Sequence, residues 1–300
     1  MTFSKCSVVA LLAAATGLAA CGGSSSDQPS VLTPASLANI ASKTTAKGGV
    51  RMSMDQTTSL GSGGSIPISA VGLFDSKSKR GEMTMTMDLS SVPGGESLPS
   101  GANKQHVILD GFKFYMSSPL FASELPAGKK WLKIDLAKIG KSVGIDFNAL
   151  TRGAGQDPTQ ALQYLKAASG DVTKVGTETV RGASTTRYKA TIDFDKVADA
   201  APAGQRDAIR RSMKQITKLA GTSTAPMEVW IGDDGTVRRM TDKIATNIGG
   251  RHSTTTQRIE LYDFGTKVDV KIPSASETVD ASDLGGSGSG SSSGSGGLSG

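Results

Sequence analysis

The chain has 300 residues, 33 basic against 27 acidic side chains for a net charge of +6, and only two cysteines. The basic residues are spread along the chain, without an aromatic-interleaved basic patch, so nucleic acid is disfavoured as a partner. So little cysteine excludes a disulfide-stapled scaffold, and stability has to come from burial.

Residues 1–20 read MTFSKCSVVALLAAATGLAA, with one lysine ahead of an apolar run and small residues before Cys21. That is the order of a secretory signal, and the stretch is too short to span a bilayer. Leu18, Ala19, Ala20 and Cys21 spell a lipobox. The small residues suit the cleavage site of a prolipoprotein peptidase, and the cysteine thiol takes the diacylglyceryl group. The mature chain is therefore expected to start at Cys21, held by palmitate-type acyl chains at the extracytoplasmic face of the cell membrane. An ordinary cleaved signal with an incidental cysteine is the alternative, but the polar GGSSS stretch after Cys21 is the spacer an anchored domain needs. No twin-arginine pair precedes the apolar run, so export by the general secretory route is expected. Cys6 leaves with the signal, and so does Lys5, which takes the net charge to about +5; that balance suits an anionic membrane surface.

Three composition regimes follow the signal: a lipidated spacer over 21–34, a patterned body over 35–276, and a Gly/Ser tail over 277–300 ending GSGSGSSSGSGGLSG. The tail has too few apolar groups to offset its ordering entropy and is expected to be disordered. No linker divides the body, which suits one domain.

In chain order, a helix is expected over 34–47, then strands over 50–58 and 69–75, separated by the glycine-rich loop at Gly61. Period-2 alternation is clearest at GEMTMTMDL, 81–89, where Met83, Met85 and Met87 share one face and Thr84, Thr86 and Asp88 the other. A hairpin follows over 106–110 and 112–116, turning at Asp110 and Gly111, and then a strand over 131–136. A helix is expected over 157–168, capped by Asp157 with Pro158 in its first turn. Strands over 172–180 and 184–193 pair across Arg181 and Gly182. A helix over 204–220 sets Ile209, Met213, Ile216 and Leu219 on one side and Arg206, Arg210, Lys214 and Lys218 on the other. Strands over 227–232 and 236–245 turn at Asp233, Asp234 and Gly235, and a last strand covers 254–264. Long antiparallel meanders with few helices imply an α+β domain, most simply a single curved antiparallel sheet, a half-barrel, with helices on its concave face.

Catalytic chemistry finds little to work with. Only His106 and His252 could supply imidazole, the mature chain keeps no free thiol, and no G-x-S-x-G, H-E-x-x-H or Walker pattern occurs. Asp233 and Asp234 lack the alternating ligands of a calcium loop and read as a hairpin turn. No enzyme, cofactor or metal is expected. What remains is the methionine face, with Met52 and Met54 beside Met83, Met85 and Met87. Flexible, polarizable side chains of this kind either fill an ordinary sheet core or line a cavity that repacks around apolar ligands.

The lipobox and spacer, with ASLANIA, VRMSM, DGFKFYM, KKWLKIDL, VGTETVRGASTTRY and PMEVWIGDDGTVRRM in that order, resemble the actinobacterial LppX/LprAFG lipoprotein family. The resemblance covers residues 32–273. It implies a fold similar to the carriers LolA and LolB, with an apolar cavity that takes lipid or glycolipid acyl chains and carries them within the envelope. Three features depart from compact members: the 193–220 insertion, the loop at Gly61 and the tail. The residues expected to line the cavity are Met52, Met54, Val71, Leu73, Met83, Met85, Met87, Val107, Leu109, Phe112, Phe114, Leu132 and Ile134. Expected partners are lipid acyl chains, the membrane through the anchor, and an envelope transporter. The rival reading is an anchored scaffolding or interaction module whose core is filled by its own side chains.

Overall fold

The computed structural model describes residues 31–59, 64–90, 100–142, 144–146, 172–199, 203–248 and 251–284. Cys21, the expected helix over 157–168 and residues Gly61, Ser62 and Gly63 of the glycine-rich loop lie outside them.

The expected strands are present with edges shifted by a few residues, and two short unexpected strands, over 31–32 and 278–280, join them. They are β1 (Val31–Leu32), β2 (Gly49–Ser59), β3 (Ser65–Asp75), β4 (Arg80–Met87), β5 (Lys104–Asp110), β6 (Lys113–Ser117), β7 (Trp131–Asp135), β8 (Val172–Val180), β9 (Ala183–Asp193), β10 (Thr224–Gly232), β11 (Val237–Ile248), β12 (Arg251–Tyr262) and β13 (Thr278–Asp280). All join one sheet in the order β1-β8-β9-β10-β11-β12-β2-β3-β4-β5-β6-β7-β13. Its pairs are antiparallel except β13 on β7, and its two end strands do not pair with each other, so the sheet stays open. Sequential hairpins build most of it. In the β8–β9 turn, Arg181 and Gly182 have φ of 47° and 80°, the doubly left-handed backbone whose twist suits a two-residue hairpin.

Helix α1 (Pro34–Ala46) starts where the sequence placed it: Thr33 caps it by accepting a hydrogen bond from Ser36 N, and proline follows the cap. Three further helices are α2 (Leu136–Ser142), α3 (Phe194–Asp199) and α4 (Arg206–Ala220), and α5 (Ala281–Leu284) follows β13. Ile209 and Met213 of α4 are buried against Ala198 of α3. Ile216 and Leu219 of α4 pack on the cluster formed by Val107, Phe114, Leu136 and Ile145. The same helix also contacts β11. β11 and β6 lie six positions apart in the sheet, roughly 29 Å if flat at ~4.8 Å per strand. A 15-residue helix is only about 22 Å long, so the sheet bends around α4.

Beyond Tyr262 the chain crosses the opposite face. Asp263 pairs with Arg51 at 3.3 Å, and Gly265 N donates to Gly49 O at 2.8 Å. Val268, Val270 and Ile272 are then half-buried, while Lys267, Asp269 and Lys271 between them are exposed. The strap ends by docking β13 on β7, where Lys133 and Asp280 pair at 3.0 Å. The sheet therefore continues past residue 276, where the sequence reading closes the body. The apolar residues of the strap alternate with charges, and their number is too small to stand out from a polar tail.

Candidate functional site

Cross-strand register sorts the side chains into two faces. One row runs Tyr188, Val229, Met240, Ile259, Met54, Ala70, Met85 and Gln105, from β9 across to β5. The next runs Met52, Gly72, Met83, Val107, Met116 and Leu132, and a third runs Val50, Phe74, Gly81, Leu109, Phe114 and Ile134. All three rows lie on the face that α1 and α4 cover, since Ile40 joins the first cluster and Ile216 and Leu219 the second. Phe112, just before β6, packs on the same cluster. Met54 and Met85 are buried, whereas Met52, Met83, Met87, Ile68 and Phe74 remain partly exposed.

Two residues expected on this face are not there. Val71 is 54% exposed, and Leu73 pairs with Arg51 and Glu82 on the opposite side. The inner positions of β3 are instead Ile68, Ala70, Gly72 and Phe74. Small residues hold the middle of the inner face there, so the bulkier Val71 and Leu73 mimic the buried phase. Room is the physical reason: a Cβ at Gly72 would come within 2.6 Å of the Met83 Cβ.

Across the same inner face runs a polar row that the sequence reading missed: Asp242, Gln257 and Gln56 are direct cross-strand partners, continuing to Ile68 and Met87. Gln257 is 2% exposed and Gln56 8%. Gln257 Nε2 donates to Met54 Sδ at 3.0 Å and Gln56 Oε1 at 3.4 Å, and Gln56 Nε2 donates to Thr58 Oγ1 at 3.4 Å. The buried oxygens Gln257 Oε1, Asp242 Oδ2 and Gln105 Oε1 have no hydrogen-bond partner. Burial pushes the Asp242 carboxyl up to about 6. The signal was available in the sequence. Each of Met54-x-Gln56, Met240-x-Asp242 and Gln257-x-Ile259 sets a polar residue in the apolar phase of its strand.

The opposite face is a charged ladder. Arg187 pairs with Glu228 at 2.7 Å, and Glu260 receives Arg181 at 2.6 Å and Arg239 at 2.7 Å. His106 is also on that face, exposed, with Nε2 3.7 Å from Glu82 Oε2 and its ring 5.3 Å from that of Trp131. His252 stands opposite Asn247 in the β11–β12 pair. The turn carboxylate of Asp234 is taken up by Thr236 and Arg238. Among the described residues no group of three or more His, Cys, Asp or Glu side chains is placed to hold a metal ion. A cleft of about 200 Å³ lies where α2 meets α4, lined by Lys141, Ile145, Asp146, Arg211 and Ser212.

No family model matches the sequence. An uncharacterised 31.2 kDa protein from the rplA–rplJ intergenic region of Streptomyces griseus is 29% identical over 238 residues, 77% of this chain and 74% of that protein. A putative lipoprotein of Streptomyces coelicolor is 25% identical over 165 residues, and the match spans 54% of this chain and 46% of that protein. Among solved structures, the lipoprotein LppX of Mycobacterium tuberculosis matches with a TM-score of 0.42 and 17% identity, over 76% of this chain and 92% of that one. The chain is similar to LppX. The open, almost wholly antiparallel sheet and few helices of this chain are those that the motif resemblance implies.

Proposed function

We propose that this chain is a membrane-anchored extracytoplasmic lipoprotein that binds the acyl chains of lipids against its apolar inner face and carries them within the cell envelope, without catalysis. The observation that carries the reading is the asymmetry of the sheet. One face presents three apolar rows in which Met52 and Met83 are still partly accessible, and the other presents paired charges. Flexible methionines suit ligands of variable shape. Burying one methylene stabilises by about 0.8 kcal/mol, so a chain of a dozen or more carbons supplies on the order of 10 kcal/mol before the costs of association. The lipobox ending at Cys21 supplies the anchor, and the Streptomyces coelicolor relative is itself described as a putative lipoprotein.

The test is to purify the Cys21→Ala chain from a lipid-containing host and extract it for mass spectrometry, alongside titration with a fluorescent fatty acid. Co-purified lipid and saturable uptake are expected. Absence of both overturns the reading. The scaffolding alternative draws on one observation: Met54 and Met85 are already buried among neighbours such as Ile40, Tyr188 and Ile259. A core filled throughout in that way would leave the anchored domain as an interaction module.

A further inference from the structure

An apolar sheet face has no reason to carry buried amides unless something answers them, because an unpaired polar group away from water costs free energy that no packing returns. On this inner face the Asp242, Gln257 and Gln56 side chains stand side by side on β11, β12 and β2, flanked by Met54 and Ile259 on one side and by Thr58 and Thr255 on the other. The orientation of the central amide is fixed by its surroundings. Gln257 Nε2 lies between two acceptors, Met54 Sδ at 3.0 Å and Gln56 Oε1 at 3.4 Å, so the nitrogen belongs there and the oxygen is left over. Thr58 and Thr255 are turned to each other at 3.1 Å, and neither hydroxyl is a hydrogen-bond partner of Gln257 Oε1. Further round the same face Gln105 repeats the arrangement: its Nε2 is 3.9 Å from Met87 Sδ and its Oε1 is unpaired.

Within these inner-face rows the orphaned atoms are Gln257 Oε1, Asp242 Oδ2 and Gln105 Oε1, and every one is an oxygen. Such a set is complementary to a ligand that donates. Ester carbonyls and phosphate oxygens only accept, and a phosphate would also meet the Asp242 carboxylate. Hydroxyl groups donate and carry no charge into the apolar surround.

We propose that Asp242 and Gln257, with Gln56 holding the Gln257 amide in place, form a recognition station for the free hydroxyl groups of an acyl lipid. The inference rests on the acyl-binding reading above and adds selectivity to it: the rows of methionine, valine and phenylalanine take the chains, and the polar row chooses lipids with an unesterified hydroxyl. Gln105 is a second acceptor on the same face for a lipid with more than one hydroxyl. The charge state of Asp242 does not decide the preference, because Oδ2 of a carboxylate accepts, and a neutral carboxyl still leaves its carbonyl oxygen as an acceptor.

The test is displacement of a bound fluorescent fatty acid from the full chain carrying Cys21→Ala. The competitors are 1,2-dioleoylglycerol and its capped counterpart 1,2-dioleoyl-3-acetylglycerol, which differ in one hydroxyl. The free hydroxyl is expected to lower the half-displacing concentration by tenfold or more. In Gln257→Met and Asp242→Leu the ratio should fall towards one while the fatty acid still binds, and Gln257→Glu, which keeps an acceptor, should restore part of it. Equal displacement by the two glycerides in the unsubstituted chain overturns the station and leaves the carrier reading standing. So does an unchanged ratio in both Gln257→Met and Asp242→Leu. Failure of the unsubstituted chain to take up the fatty acid removes both. The comparison of the two glycerides needs no variant to fold, so it decides the matter alone if the substitutions are not tolerated.

Discussion

Arg239 lies over the ring of Trp230, its guanidinium carbon 5.2 Å from the ring centroid, while the same guanidinium holds Glu260 at 2.7 Å. Arg187 approaches the ring at the same distance, so the indole sits among cations on the charged face of the sheet. Glu260 ties this group to the β8–β9 turn, because Arg181 also donates to it at 2.6 Å and covers Tyr262 at 4.0 Å. Burial alone would raise the Glu260 carboxyl; the hydrogen bonds from Arg239 and Arg181 outweigh it and hold the carboxyl below its ordinary value. A depressed carboxyl contributes stability above its unfolded pKa, and that contribution is lost as pH falls through the folded value. Glu260→Gln is expected to cost about 1 to 3 kcal/mol at pH 7, the range for charge-assisted hydrogen bonds. Urea titrations should show the gap between wild type and variant narrowing towards pH 3, and a gap independent of pH would contradict the assignment.

Asp242 has the opposite sign. With its carboxyl pushed up to about 6 by burial, the folded chain holds a proton that the unfolded chain has already released. The stabilising contribution is complete below about pH 4 and is lost as pH rises through about 6. Above that window the ionised group costs on the order of 2 to 3 kcal/mol. Asp242→Asn, neutral at all pH, should therefore be more stable than wild type at pH 8 and show a smaller advantage at pH 4. Parallel denaturation curves at the two pH values would count against burial as the cause.

Most of the sheet was legible because its strands follow a period of two and its hairpins carry Asp110-Gly111, Arg181-Gly182 and Asp233-Asp234-Gly235 at the turns. Phase was harder than existence. At Ala70 and Gly72 the inner side of β3 is small, so hydrophobicity alone favours the wrong face, and only the pairing of Ala70 with Met54 and Met85 settles it. The short helices α2 and α3 have too few turns to develop a periodic signal, and the strap depends on Val268, Val270 and Ile272 finding a surface that no local pattern announces. The methionines stood out because hydrophobicity marks them. Gln56, Gln257 and Asp242 did not, because polar residues within an apolar phase weaken a strand assignment rather than point to a site.

Gly49 tests the strap. A Cβ there would press on the Thr266 carbonyl and come within 2.6 Å of Val268 Cγ2, at the point where the chain turns onto the outer face. The backbone of Thr266 cannot yield as the end of a flexible side chain can. Gly49→Val should therefore lift residues 263–277 locally and destabilise by about 1 to 3 kcal/mol, as overpacking does. Amide exchange at Gly265, bonded to Gly49 O at 2.8 Å, should quicken more than exchange in β10 or β11. Unchanged exchange at Gly265 would mean that the strap does not depend on this close approach.

Met83 separates a lipid-binding face from a filled core. Met85 is a poor reporter, since it is 8% exposed among close neighbours and a larger side chain there would strain the protein under either reading. Met83 is partly exposed, faces Gly72 and Val107 across the sheet, and touches both apolar clusters. If the accessible surface beside it is where acyl chains lie, Met83→Trp fills that space with the protein's own indole. Fatty-acid uptake should then fall several-fold while stability changes by less than about 1 kcal/mol, because the added ring replaces ligand rather than displacing a packed neighbour. A core already filled by side chains would respond in the reverse way, with a loss of roughly 1 to 3 kcal/mol from overpacking and no uptake to lose. Urea denaturation and fatty-acid titration of the same sample tell the two apart.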